Sequence, residues 1–392
     1  MIGEGNAMPA AAPLGGITVV ELGHSVAAPY AAEILGDLGA TVIKVEKRDG
    51  DDARKWAPPY WHGMSALFQS LNRNKQSVVV DLRSDEEVRR LKALIQERAD
   101  VVIQNLRPGG AQELGLDAAT LRKTKPGLIC CTIGAFGKAG PLKDRPGYDP
   151  LMQAFGGIMS VTGEPGRPPV RVGVSVIDMG AGMWSVIGIL SALMTRAATG
   201  AGASIDTSLY EVALGWMSYH AATTQASGVP PVPQGSGAPQ IAPYRGYVTS
   251  DGFIVIGAGN DKLFASMAKA LGHAEWAADP RFRSNPERVK HRDDLYRLIE
   301  EILAKKTSAE WQKILDEAGV PCAPMQTMDQ VLAHPQTAAL GMLQQSADGK
   351  FNLMGLPLSF DGVRPALRSS APELGADTEA VLGPYSTKSK AS

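Results

Sequence analysis

The chain has 392 residues, 44% hydrophobic and 20% charged, with a formal net charge of −1. That length points to two domains, or one large domain with an appendage, and to a sizeable apolar core. The balanced charge excludes a basic field for nucleic acid and a polybasic membrane patch. Cys130, Cys131 and Cys322 form no CxxC pair, so neither a disulfide framework nor a zinc site is encoded, and a reducing, cytoplasmic setting is expected. The N-terminus MIGEGNAMPAAAPLGG lacks a basic region followed by an apolar one and reads as a loose tail, not a signal peptide. The most apolar window, 176–194, carries Asp178 and three glycines, which argues against a membrane span.

In chain order, ITVVEL (17–22), a helical stretch APYAAEILGDLG (28–39) and TVIKVE (41–46) make a βαβ unit. Tyr30, Ile34, Leu35 and Leu38 share one helix face, and Gly39 closes the helix. Further strands are expected at 77–82, 100–105 and 127–134, with a charged helix from Asp85 to Arg98 between the first two. The run RVGVSVI (171–177) reads as another strand, followed by a helix to about Ala198. Short β-branched runs alternating with helices predict an α/β fold with a parallel sheet covered on both faces. The Pro/Gly/Ser-rich segment 223–243 reads as a linker. Beyond it come a hairpin turning at Asp251-Gly252, an amphipathic helix with Leu263, Phe264, Met267 and Leu271 on one stripe, and a capping box at Thr307–Glu310. These make a smaller α+β domain, 244–330. The last sixty residues resist placement by pattern.

The turn after the first strand, His24-Ser25-Val26-Ala27, carries a single preceding glycine and not GxGxxG, which speaks against a nicotinamide cofactor. Walker A, HExxH and GxSxG are absent, and six scattered histidines show no metal-ligand spacing. Basic residues cluster near strand ends: Lys47, Arg48 and Arg54, then Arg73 and Lys75, then Arg107 after Asn105-Leu106. Ligands of open α/β sheets sit beyond the carboxyl ends of the strands, so these residues suit a phosphorylated ligand; solvated loop charge is the alternative. Asp178 also has two readings. Between an expected strand and helix it is a favoured N-cap, and an ionised carboxylate held there is also a candidate covalent nucleophile.

Taken together, GITVVELGHSVAAPYAAEILGDLGATVIKVEKRDGDDAR, SLNRNKQSVVVDL, ADVVIQNLRPG, GYDPLMQAFGGIMSVTGEPG, VGVSVIDMGAGM, IGAGNDKLF and AGVPCAP resemble the family III CoA-transferases, over about Leu14 to Leu382. The resemblance implies an interlocked, ring-like homodimer. Each chain would have a large Rossmann-like CoA-binding domain (1–222 with 331–392), the linker 223–243, and the small domain 244–330. It implies acyl-CoA and a carboxylic acid as substrates, coenzyme A as cosubstrate, no permanently bound cofactor and no metal. Asp178 matches the catalytic aspartate, with Gly180 and Gly182 expected to leave room for a thioester. Tyr148 and Asp149 match an aromatic-acid pair near the reactive centre. His24, Ser25, Val26, Ala27, Lys47, Lys75, Asn105, Leu106 and Arg107 match the CoA wall. Arg73 and Arg171 are candidates to pair with a distal carboxylate of a dicarboxylic substrate. Gly257–Gly259 matches the place of a mobile loop in some members but is less glycine-rich. Glu113 stands where many members carry arginine. The related α-methylacyl-CoA racemases carry histidine at the position of Tyr148; two-base racemisation wants a group near neutral pKa there, so transfer is favoured over epimerisation. A non-catalytic CoA-binding protein is the remaining alternative.

Overall fold

The computed structural model describes residues 12–386; the expected loose tail therefore lies largely outside the described residues. Two compact units are present. Among the described residues the larger takes 12–158, Val172–Tyr219 and 335–386; the smaller takes Met159–Arg171 and His220–His334. The smaller unit thus includes 159–171, which the sequence reading gave to the large domain.

In the larger unit the strands are β1 (Thr18–Leu22), β2 (Thr41–Glu46), β3 (Lys75–Val79), β4 (Val101–Gln104), β5 (Ile129–Gly134) and β6 (Ser204–Ser208), and its main helices are α1 (Ala27–Asp37), α2 (Asp85–Arg98), α3 (Asp149–Phe155), α4 (Val176–Thr199) and α5 (Leu209–Trp216). The sheet is parallel throughout, in the order β3-β2-β1-β4-β5-β6. The order reverses between β1 and β4, the point at which doubly wound sheets open a ligand crevice.

The expected strand at 171–177 does not form. Val172 N–H donates to the Gln153 side chain (2.8 Å) instead of a ladder partner, and α4 has begun by Val176. The edge position beside β5 is filled by SIDTS, a strand with only one large apolar residue and so a weak signal in the sequence. Its Ile205 packs toward α4 at Gly188. On the opposite edge the C-terminal segment covers β3: Asp377 accepts from Ser77 N–H (2.8 Å) and Thr378 Oγ1 from Val79 N–H (3.0 Å). An exposed strand edge invites pairing with other chains, and this contact gives the unplaced tail its role.

Helix α4 is long and apolar enough to cross a membrane by length and composition alone. One face, with Ile177, Ala181, Ser185 and Ile189, is buried in the core against α1. The glycines in its first turns face neighbouring helices and not open space, against the expectation that they make room for a thioester. A Cβ on Gly182 would lie 2.9 Å from Tyr30 Cδ1 and 3.0 Å from the Ala27 carbonyl; one on Gly180 would lie 2.8 Å from Val212 Cγ1. Gly182→Ala should therefore overpack the α1–α4 contact and cost about 1–3 kcal/mol, read as a lower midpoint in urea with an unchanged slope.

Beneath the β1–α1 turn sits a cluster of buried charges. Lys44 Nζ reaches Glu21 (2.8 Å), Asp51 (2.9 Å) and the Gly23 carbonyl (3.0 Å). Lys75 Nζ reaches the other Glu21 oxygen (2.8 Å), the Pro29 carbonyl (2.8 Å) and Asn72 (2.9 Å). Asp51 also accepts from Ser25 N–H (3.1 Å), holding Ser25 at φ 70°, in the left-handed region.

The smaller unit has an antiparallel sheet of β7 (Tyr244–Val248), β8 (Phe253–Gly257) and β9 (Cys322–Pro324), with β8 central. The hairpin turns over 249–252 and the Thr307–Glu310 capping box is present. The expected linker starts as helix: Ser218–Ser227 is helical, and the chain leaves it at Gly228 (φ 70°), just before Pro230 and Pro231. Gly257–Gly259 is anchored, with Gly257 N–H on the Pro321 carbonyl (2.9 Å), Ala258 N–H on the Pro243 carbonyl (3.0 Å) and Ala258 fully buried.

Candidate active site

The loops following β1 and β4 are tied together. His24 N–H donates to Asn105 Oδ1 (3.0 Å), and Asn105 Nδ2 returns a bond to the His24 carbonyl (2.9 Å). They border a cleft of about 1270 Å³, above the roughly 300–1,000 Å³ of common small-ligand sites. His24, Ser25, Val26, Ala27, Asn105, Leu106, Arg107, Tyr148, Asp149 and Asp178 all line it.

The electrostatic design around Asp178 differs from the expected helix cap. Ser175 is the N-cap position of α4, without a side-chain capping bond, and Asp178 lies in the first turn. The cap comes from α3: Asp149, itself buried, accepts from Ile177 N–H (2.8 Å) and Asp178 N–H (3.2 Å) on one oxygen and from Gln153 on the other. A borrowed carboxylate thus satisfies the orphan donors. Among the described residues the Asp178 carboxylate takes part in no hydrogen bond or ion pair. The carboxylate expected to be held ionised is instead raised: burial, then the Asp149 charge, pushes Asp178 up to about 7. Desolvation outweighs the helix dipole here. A carboxylate raised this far is more basic than a free one. Asp149→Asn removes the second cause but not the first, so the acid limb of the pH–kcat/KM profile should move below 7 yet stay above the ordinary Asp range near 4.

Other walls have clear chemistry. His24 is shifted below its usual value, mainly by burial, and is neutral at pH 7; its Nδ1 lies 3.0 Å from Ser25 Oγ. Arg107 forms a two-pronged ion pair with Glu113. Burial pushes the Cys130 and Cys131 thiols up to about 12, which removes them as nucleophiles at neutral pH. Among the described residues no group of three or more His, Cys, Asp or Glu side chains is arranged to hold a metal.

Four residues expected at the ligand, Arg73, Lys75, Lys47 and Arg171, do not line the cleft. Arg73 is buried, paired with Glu33 and Asp37. Lys75 is buried on Glu21. Neither has a nitrogen directed to the cleft, because buried carboxylates took both cations. Lys47 is exposed and paired with Asp52 (2.7 Å), outside the cleft wall, as are Arg48 and Arg54, paired with Glu87 and Glu46. Arg171 belongs to the smaller unit and is exposed. The sequence reading missed Lys138, Lys143 and Arg145, which line the cleft on the loop after β5. The strand-end rule, applied there as it was after β2 and β4, would have found them.

Comparison with known proteins shows the family. The sequence profile of CoA-transferase family III matches residues 14–378. An acetyl-CoA:oxalate CoA-transferase of Acetobacter aceti is 38% identical, over 92% of this chain and 93% of the relative. A succinate–glutarate CoA-transferase of Agrobacterium fabrum is 36% identical over 84% of both chains. The crystal structure of a CAIB/BAIF family protein from Brucella suis superposes with a TM-score of 0.86 at 40% identity, covering 95% of this chain and 99% of that one. With a family match over nearly its whole length, the chain belongs to CoA-transferase family III and is a CoA-transferase.

Proposed function

We propose that this enzyme moves CoA from succinyl-CoA, or a similar acyl-CoA, to a C4–C6 dicarboxylic acid through covalent intermediates on Asp178. The observation that carries the mechanism is the unpartnered Asp178 carboxylate, raised to about 7, in the wall of a cleft at the sheet's switch point. Its oxygen attacks the thioester carbonyl; the C–S bond breaks and CoA leaves as thiolate, giving an aspartyl-acyl anhydride. The thiolate then attacks the Asp178 carbonyl, releasing the donor acid and leaving an aspartyl-CoA thioester. The acceptor carboxylate reverses these two steps, so one difficult exchange becomes several easier ones.

His24, Ser25, Val26, Ala27, Asn105, Leu106 and Arg107 form the CoA wall in this reading. Relatives named for succinyl-CoA or acetyl-CoA with glutarate, oxalate, D-citramalate or mesaconate support the dicarboxylate class. With Arg73 committed internally, Lys143 and Arg145, which make no ion pair among the described residues, are the candidates for a distal carboxylate. A homodimer accounts for the apolar side chains that α4 leaves exposed at Met183, Trp184, Ile187 and Met194, the last 77% exposed. An exchange assay over succinyl-, acetyl- and oxalyl-CoA with a panel of acids tests the substrate assignment. Turnover of succinyl-CoA with dicarboxylates is expected; activity confined to monocarboxylates overturns it.

A further inference from the structure

We propose that Glu113 is an affinity-setting residue that holds Arg107 against the approach of a phosphate. This rests on the reading of the cleft as a CoA site. Arg107 lines the cleft directly after the Asn105 tie to His24. Its guanidinium meets both oxygens of Glu113: Nη1 on Oε1 at 3.1 Å, and Nη2 on Oε2. The segment is shaped for that contact. Gly109 (φ 80°) and Gly115 (φ 62°) bracket the helical turn Gly110–Leu114 and fold it back toward residue 107. A Cβ at Gly110 would lie 3.2 Å from Arg107 Cγ, so the arginine stem packs on the turn that carries Glu113.

A fork-to-fork carboxylate pair uses the same two parallel N–H donors that a phosphate would take. At this rim the cleft therefore offers a neutral pair in place of a free cation. Both side chains are open to solvent, 69% and 59% exposed, so the pair is weak enough for a polyanion to displace. Glu113 then sets how tightly the phosphorylated part of CoA is held while leaving the reacting thioester, near Asp178, untouched. Weak retention suits a step in which free CoA must move between two carbonyl carbons and depart on a new acyl group.

The experiment measures acyl-CoA KM and CoA binding by calorimetry for the wild type, Glu113→Gln, Arg107→Ala and the double variant. Glu113→Gln should lower KM and Kd about two- to fivefold, with the effect falling on KM rather than kcat. The gain should vanish in the Arg107→Ala background and for acyl-pantetheine, which has no phosphate of the nucleotide part. Dephospho-CoA separates the sources: a retained gain assigns the diphosphate, and a lost gain the ribose phosphate. Equal CoA affinity in wild type and Glu113→Gln, or a gain that survives Arg107→Ala, overturns the proposal alone. No CoA binding by the wild type overturns the CoA reading beneath it as well.

Discussion

Replacing Asp178 with asparagine should abolish CoA exchange and, at pH 8, make the protein more stable. The first half follows from the nucleophile: an amide cannot form the anhydride, and loss of a covalent group of this kind costs about 10³-fold or more in kcat. The second half follows from linkage. Unfolded Asp titrates near 4, whereas in the fold burial and Asp149 push Asp178 up to about 7. Between those values the folded chain holds the extra proton, so stability falls as pH rises from about 4 to about 7 and stays lower above that. Three pH units correspond to about 4 kcal/mol; the part of the carboxylate open to the cleft reduces this to about 1–3 kcal/mol. Thermal melts should show Asp178→Asn above wild type at pH 8 and equal to it at pH 4. A variant less stable at pH 8 would mean that the carboxylate has a favourable partner in the fold. Under the proposed covalent mechanism, wild-type kcat/KM should rise with pH through about 7 as the Asp178 carboxylate ionises.

Lys44→Met should have the largest effect on stability, a loss of about 3–5 kcal/mol. The ammonium is wholly buried and bridges Glu21, Asp51 and the Gly23 carbonyl. Its removal leaves Asp51 without a cation and Glu21 with Lys75 alone. Because Asp51 also fixes the Ser25 backbone, the turn bearing His24 loosens, and acyl-CoA KM should rise in the folded fraction. Adding Asp51→Asn to Lys44→Met removes the orphaned charge and should recover part of the lost stability, though not the KM. Urea denaturation of the single and double variants gives the coupling directly. A loss below about 1 kcal/mol for Lys44→Met would show the cluster to be dispensable.

Much of the larger unit was legible because parallel strands buried on both faces read as continuous apolar runs. ITVVEL, TVIKVE and GLICCTIG stand out for that reason, and their alternation with helices gives the doubly wound sheet. The errors have one physical origin. RVGVSVI has strand composition but no free strand to pair with, whereas SIDTS has little apolar content but lies where pairing is available. Pairing is a long-range property that a local window does not carry. The same holds for charge. Arg73, Lys75 and Arg107 look alike in sequence, yet the first two meet buried acids from α1 and β1, and only the third reaches the cleft. Asp178 reads locally as a helix cap, but the capping role belongs to Asp149, 29 residues earlier in the chain. That exchange of roles leaves the Asp178 carboxylate unpartnered.

The central claim is a covalent intermediate on Asp178, and trapping it is the most direct test. The full-length enzyme is incubated with succinyl-CoA, quenched with hydroxylamine and digested, and the peptide carrying residue 178 is analysed by mass spectrometry. A hydroxamate on Asp178 that requires the acyl-CoA and is absent from Asp178→Asn is the result predicted here. An enzyme that exchanges CoA at its normal rate while Asp178 stays unmodified would contradict it.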